Sequence, residues 1–160
     1  HQAYQYLLEA IKRDGVPYDL ISKSLPTVEG AVNDILSQIV DFNIVFNMDG
    51  KVIDTHIVYD DDRVWPLELS SGMERFISSL AIRASLINVS NLPRSNFLAI
   101  DEGWGTMDSD NINSVYGLFQ YLKTQFQFSL IVSHIDSMRD AVDTLLEVKK
   151  DGSYSNINFD

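Results

Sequence analysis

Phe97-Leu98-Ala99-Ile100-Asp101-Glu102-Gly103-Trp104-Gly105-Thr106-Met107-Asp108 is the stretch from which the rest of the chain can be read. Four apolar residues followed by two carboxylates describe a short strand, buried on both faces, that ends in chemically useful side chains. The carboxylates have two readings. They are a pair of solvated acids at a strand end, or they divide labour, one holding a Mg²⁺ and the other accepting a proton from an attacking water. Glycines on both sides of Trp104 favour the second, because backbone without a Cβ lets a ligand or another subunit approach closely. Asp108 stands where a helix N-cap belongs, and the pattern predicts a helix from about Ser109 to Thr124.

Toward the C-terminus, Ser129 to Val132 is a second buried run, closed by Ser133-His134. Strand, helix and strand in alternation imply a parallel sheet, whose ligands gather at the carboxyl ends of the strands. His134 is then either a satisfied structural histidine or a group at the equivalent strand edge that reaches the same ligand as Glu102. A neutral imidazole there can hydrogen-bond both a carboxylate and a phosphate oxygen. A short helix around Asp136 to Val142 and two strands, near Thr144 to Lys149 and Tyr154 to Phe159, joined by the Asp151-Gly152 turn, complete the chain.

Toward the N-terminus, a long helix is expected from about Gly72 to Val89, with Phe76, Ile77, Leu80, Ala81, Ala84 and Leu86 or Ile87 at helical spacing. It opens with Leu69-Ser70-Ser71-Gly72-Met73-Glu74-Arg75. Ser71 and Glu74 have capping-box spacing, which alone accounts for them. The same turn, with exposed N–H groups, a serine hydroxyl and a glycine that leaves room, also suits a phosphate. Ahead of it, Asn43 to Tyr59 alternates as a β-hairpin turning at Asn47 to Gly50. Asp60-Asp61-Asp62 reads as its solvated end, since no fourth ligand or calcium-type loop accompanies it. Residues 2 to 13 form a short amphipathic helix, a surface helix or the stump of a coiled coil. A second helix begins at Val16-Pro17, and a third, after a break at Leu25-Pro26-Thr27, runs to Val40.

With 160 residues, no cysteine, 45% hydrophobic residues and a net charge of −11, the chain suffices for one compact domain without disulfide or Cys-zinc staples. Residues 1–66 hold 11 acidic and 5 basic side chains and residues 67–160 hold 12 and 7, so neither half is a basic arm that could grip a phosphate backbone. No apolar run approaches a membrane span and no signal-peptide plan is present, so a soluble protein of a reducing, intracellular compartment is expected. The first residue is His1 rather than Met, which suggests a piece of a longer polypeptide. No G-x-x-x-x-G-K-[ST] phosphate loop occurs among the eight glycines. A Mg²⁺-carboxylate strand without a phosphate cradle is half of a nucleotide site.

In order and spacing, these pieces resemble the C-terminal half of an ABC-type ATPase head, in particular the SbcC family of SMC-like DNA-repair ATPases and the related large subunits of phage recombination endonucleases. Ser70 to Glu74 is similar to the signature motif, Phe97 to Glu102 to the Walker B strand, Gly105 to Asp108 to the D-loop, and Ser133-His134 to the switch histidine. The run from Asp101 to Asp108 is close to the D-E-G-F-G-T-L-D typical of SbcC. Two positions depart from the pattern: Ser71 replaces a Gly or Ala, and Met73 replaces a Gln or Glu and removes a polar contact.

The resemblance implies an α/β C-terminal lobe, a largely parallel sheet flanked by helices, spanning residues 16–160 after a possible coiled-coil stump at 1–15. The phosphate loop would belong to an N-terminal lobe beyond a long coiled-coil arm, and ATP would sit between two heads of a homodimer. Asp101 then orients Mg²⁺, Glu102 is the general base, His134 senses the γ-phosphate and Asp108 couples the two sites. Ser70, Ser71 and Gly72 serve the opposing head's ATP. The implied function is an ATP-hydrolysing head that controls an SbcD-type nuclease and meets DNA through the assembled complex. Its place would be the cytoplasm, at the nucleoid or in the host of a phage. A structural SMC-like head that tethers DNA without a nuclease is the alternative. A non-nucleotide hydrolase using Asp101 and Glu102 jointly is disfavoured, because adjacent strand residues point to opposite faces.

Overall fold

The helix–hairpin–helix and strand–helix–strand segments expected from the sequence are both present in a computed structural model, which describes residues 2–12, 14–49, 52–91, 93–101 and 112–159. They fall into two compact units, residues 1–95 and 96–160.

In the first unit, α1 (Gln2–Ile11) is followed by α2 (Val16–Leu36). The expected break at Pro26 is absent, and α2 is one helix with the proline inside it. Proline removes one backbone hydrogen bond and crowds the preceding turn. That cost is outweighed downstream, where Val28, Val32, Ile35 and Leu36 bury one stripe against β1 and α3. Upstream nothing of α1 is buried, and Leu7, Ile11 and Leu20 are all exposed.

The hairpin consists of β1 (Asn43–Asp49) and β2 (Val52–Asp60), with β3 (Arg63–Pro66) added on the far side of β2 in a wholly antiparallel sheet. Two expectations change here. Asn47 to Asp49 belongs to β1 rather than to the turn, because Asn47 pairs with Asp54 and Asp49 with Val52; Gly50 lies outside the described residues. Arg63–Pro66 is a strand rather than a lead-in to the helix, because its backbone completes the open edge of β2. The outer edge of β1 is closed by side chains of α2. Asn33 both donates to and accepts from the Ile44 backbone (2.8 and 2.7 Å), and Glu29 accepts from Phe46 N–H (2.7 Å), so a helix stands in for a further strand. Asp60 to Asp62 are exposed, and the Arg63 guanidinium hydrogen-bonded to Asp60 holds that carboxyl below its usual range.

α3 (Gly72–Val89) has the expected bounds. Its buried face is Met73, Ile77, Leu80, Ala81 and Ala84 together with Ser78 and Ser85, while Leu86 is exposed. Both serines are fully buried, and Ser85 donates to the Ile82 carbonyl within its own helix.

In the second unit, β4 (Phe97–Asp101) and β5 (Phe128–Val132) pair in parallel and are connected through α4 (Ile112–Gln125). Val115, Leu118, Phe119 and Leu122 form the buried stripe of α4, continued by Phe126 beyond its end. Asp136–Ala141 is a 3-10 helix packed on α4, and β6 (Leu146–Asp151) and β7 (Tyr154–Phe159) form an antiparallel hairpin. At its tip Gly152 takes φ +59°, where a side chain would be strained. The α/β class expected from the sequence is the class observed. Parallel pairing among the described residues is confined to β4 and β5, and the other two sheets are antiparallel. The expectation that both central strands are buried on both faces is corrected. They alternate, with Phe97, Leu130 and Val132 exposed and Ile100 buried, because α4 covers one face only.

Candidate functional site

Two places gather the residues singled out in the sequence. The first is the carboxyl edge of the β4·β5 pair. The register sets Asp101 opposite Val132, so Asp101 and the following Ser133-His134 leave the sheet at one edge. Parallel register, which requires a crossover, is what brings two residues so far apart in sequence to one edge. Asp101 and His134 are exposed, and Ser133 Oγ accepts from Ile135 N–H (3.1 Å), shaping the bend that carries the histidine off the strand. Glu102, Gly103 to Met107 and Asp108 lie outside the described residues.

The second place is the N-terminal turn of α3. Ser71 is the N-cap, and the capping box read from the sequence is formed in full: Ser71 Oγ accepts from Glu74 N–H (3.2 Å), and Glu74 Oε2 accepts from Ser71 N–H (2.6 Å). A helix's first-turn N–H groups have no intrahelical acceptor, so those of Gly72 and Met73 are left for an outside one. Ser70 is buried, with Oγ donating to the Leu67 carbonyl (2.7 Å) across the 3-10 turn Leu67–Leu69. Met73, at the position of the expected polar contact, is a core residue, 8% exposed.

Sequence reading missed the partner of this turn. Tyr59 sits at a bulge in β2, where Val58 pairs with Val64 and Asp60 with Arg63, and its hydroxyl donates to Glu74 Oε1 (2.5 Å). Its ring stacks on Trp65 and tilts against Phe42, at centroid distances of 5.4 and 5.5 Å, with the Arg63 guanidinium 5.2 Å from its centroid. Burial, then the hydrogen bond and the charge of Glu74, push the Tyr59 phenol up to about 12. For Glu74, burial raises the pKa, but hydrogen bonds from Tyr59 and from Ser71 outweigh it and hold the carboxyl below its ordinary value. No spacing rule marks Tyr59, because a bulge is a departure from the alternation by which a strand is recognised.

No family model matches the chain. A structure solved in a study of ATP-driven dimerization and DNA-stimulated activation of SMC ATPases superposes on it with TM-score 0.71 at 14% identity over 88% of each chain. The fold is that of an SMC ATPase head. A second SMC head, bound to the C-terminal winged-helix domain of ScpA, matches at TM-score 0.68 and 17% identity, over 89% of this chain and 45% of the other. The SMC head from Thermotoga maritima matches at TM-score 0.61 and 24% identity, over 88% and 49%.

In sequence, 96% of the chain is 36% identical to the uncharacterized protein R555 of Acanthamoeba polyphaga mimivirus, and 56% of it is 30% identical to the SbcC component of the SbcCD nuclease of Staphylococcus aureus. The chain spans only 13% of the first relative and 9% of the second. No helix among the described residues is long and apolar enough to cross a membrane.

Proposed function

We propose that this chain is the C-terminal half of an SMC-like ATPase head. In this reading, two heads close on ATP, hydrolyse it and govern a partner nuclease of the SbcD type in DNA break repair or recombination. The observation that carries the reading is the shared carboxyl edge of β4 and β5. It puts Asp101 and His134 at one place, with Glu102 next in the chain.

The residues suit the chemistry. Among the described residues no ion pair engages the exposed Asp101, and a single hard oxygen donor is enough for Mg²⁺, which keeps most of its waters and takes further ligands from phosphates. When bound, Mg²⁺ supplies neutralising charge to the phosphate oxygens. Asp101 holds it, and Glu102 orients the attacking water and accepts its proton. His134 donates a hydrogen bond to a γ-phosphate oxygen. Ser70, Ser71 and Gly72 present a helix N-terminus to the γ-phosphate bound by the opposing head, and Asp108 couples the two sites. The phosphate loop, absent from this sequence, comes from an N-terminal lobe. The open face bearing Phe97, Leu130 and Val132 supports a further layer on this sheet. Residues 1–15 form the foot of a coiled-coil arm. With a net charge of −11, DNA contact falls to other parts of the assembly.

ATP turnover of this chain co-expressed with the N-terminal segment of its own polypeptide tests the proposal. Turnover is expected from the pair, absent from either piece alone and abolished by EDTA. A correctly assembled pair that does not hydrolyse ATP would contradict it. The SMC heads among the structural matches favour a second reading, a DNA-tethering head without a nuclease. Manganese-dependent DNA cleavage by the complex purified from its native source separates the two.

A further inference from the structure

We propose that Tyr59 is a positioning residue for the signature turn, acting through Glu74 to fix the direction in which Gly72 and Met73 present their N–H groups. This rests on the reading of residues 70–74 as one wall of a nucleotide site. Three observations converge on it. The bulge in β2 adds one residue to the strand, and that residue is Tyr59; bulges re-aim side chains and cluster beside active sites. The phenol is held from three sides, by Trp65, Phe42 and Arg63, which leaves its hydroxyl little freedom except toward α3. The Glu74 carboxylate is divided: Oε2 takes the Ser71 N–H and Oε1 takes the Tyr59 hydroxyl.

An ordinary capping box ties its glutamate only to the N-cap N–H of its own helix. Here the glutamate is tethered to the sheet, so the first turn of α3 is fixed to β2 rather than only to its own helix. Anion recognition by a helix N-terminus depends on where those N–H groups point, and a displacement of about 1 Å is enough to weaken it. The tether therefore contributes most when the turn meets the γ-phosphate of the opposing head, and nothing to nucleotide binding by a single head.

The test uses the complete ATPase. Tyr59→Phe keeps the ring stack and removes only the hydroxyl. Glu74→Ala removes the tether and the box, and Glu74→Gln retains an acceptor for Ser71 N–H. The expected result is a rise of roughly fivefold, the weight of one hydrogen bond, in the ATP concentration for half-maximal dimerisation in Tyr59→Phe and at least that in Glu74→Ala. Glu74→Gln should recover most of the loss, Tyr59→Phe should add nothing to Glu74→Ala, and ATP affinity of the single head should be unchanged. Lower melting temperatures with an unaltered ATP requirement would overturn the proposal and leave Tyr59 a structural contact. Should Glu74→Ala fail to fold, Tyr59→Phe decides alone. Gly72→Asp is the control for the underlying reading, since a carboxylate there suits the helix but repels a phosphate. If it too leaves dimerisation intact, the nucleotide site itself is misassigned; if it abolishes dimerisation while the Tyr59 and Glu74 variants behave as wild type, only the positioning role falls.

Discussion

Gly15 has no room for a side chain: a Cβ there would stand 2.4 Å from the Ala10 carbonyl oxygen and 2.6 Å from that of Glu9. Both neighbours are backbone and cannot rotate away. Gly15→Ala should therefore open the link between α1 and α2, at about 1 kcal/mol or more, and accelerate proteolysis around residues 12–15. Asn33 is a second single-residue dependence. Asn33→Ala strips both polar groups of Ile44 of their partner and should cost about 2 kcal/mol in chemical denaturation. The Tyr59–Glu74 bond adds pH dependence at both ends. The phenol's folded pKa, about 12, lies above its ordinary 10.0, so its contribution is present below 10 and is lost as pH rises toward 12; Asp41 and Glu74 raise that value and Arg63 opposes them. The Glu74 carboxyl lies below its ordinary 4.5, so its contribution is present above 4.5 and fades as pH falls further. The melting-temperature gap between wild type and Tyr59→Phe should accordingly shrink between neutral pH and about pH 11.

Among the elements, those with one strong period were legible in the sequence and those that depend on a distant neighbour were not. The capping box and stripe of α3 fixed both its ends, and the four apolar residues before Asp101 marked β4. β3 was invisible because its four residues have no pattern apart from the edge they complete. Ser78 and Ser85 escaped notice as buried positions because serine reads as polar, although both are fully buried in α3. The break expected at Pro26 failed for a related reason, since the stripe from Val28 to Leu36 holds the helix through a locally unfavourable residue. Pro26→Ala should restore the missing N–H and stabilise α2 by about 1–3 kcal/mol, read as a higher melting temperature. Leu122→Ala, 1% exposed in α4, should cost about 2–5 kcal/mol, whereas Leu86→Ala, 48% exposed in α3, should stay within about 0.5 kcal/mol.

At the scale of the whole molecule, each of the two units carries one of the places gathered from the sequence, the turn of Ser70 to Glu74 in the first and the β4·β5 edge in the second. Asp101 and His134 could be read to one sheet edge because parallel strands deliver their carboxyl ends to the same side, a rule that needs only strand order. The cap at Ser71 was legible because Ser71 and Glu74 have capping-box spacing, and its donors are those the proposed anion site would use. The bulge that aims Tyr59 at Glu74 was not found, since it arises from pairing between strands rather than from composition. The missing phosphate loop, the open face of β4·β5 and the small share of its relatives that the chain spans are one fact seen from three directions, if this is the C-terminal half of a head. The most direct test is Glu102→Gln in the complete ATPase, with turnover and head dimerisation measured in ATP and Mg²⁺. Removing the proposed base while keeping the shape should reduce hydrolysis by at least about a hundredfold and leave the dimer trapped with ATP between the heads. Undiminished turnover would contradict the account.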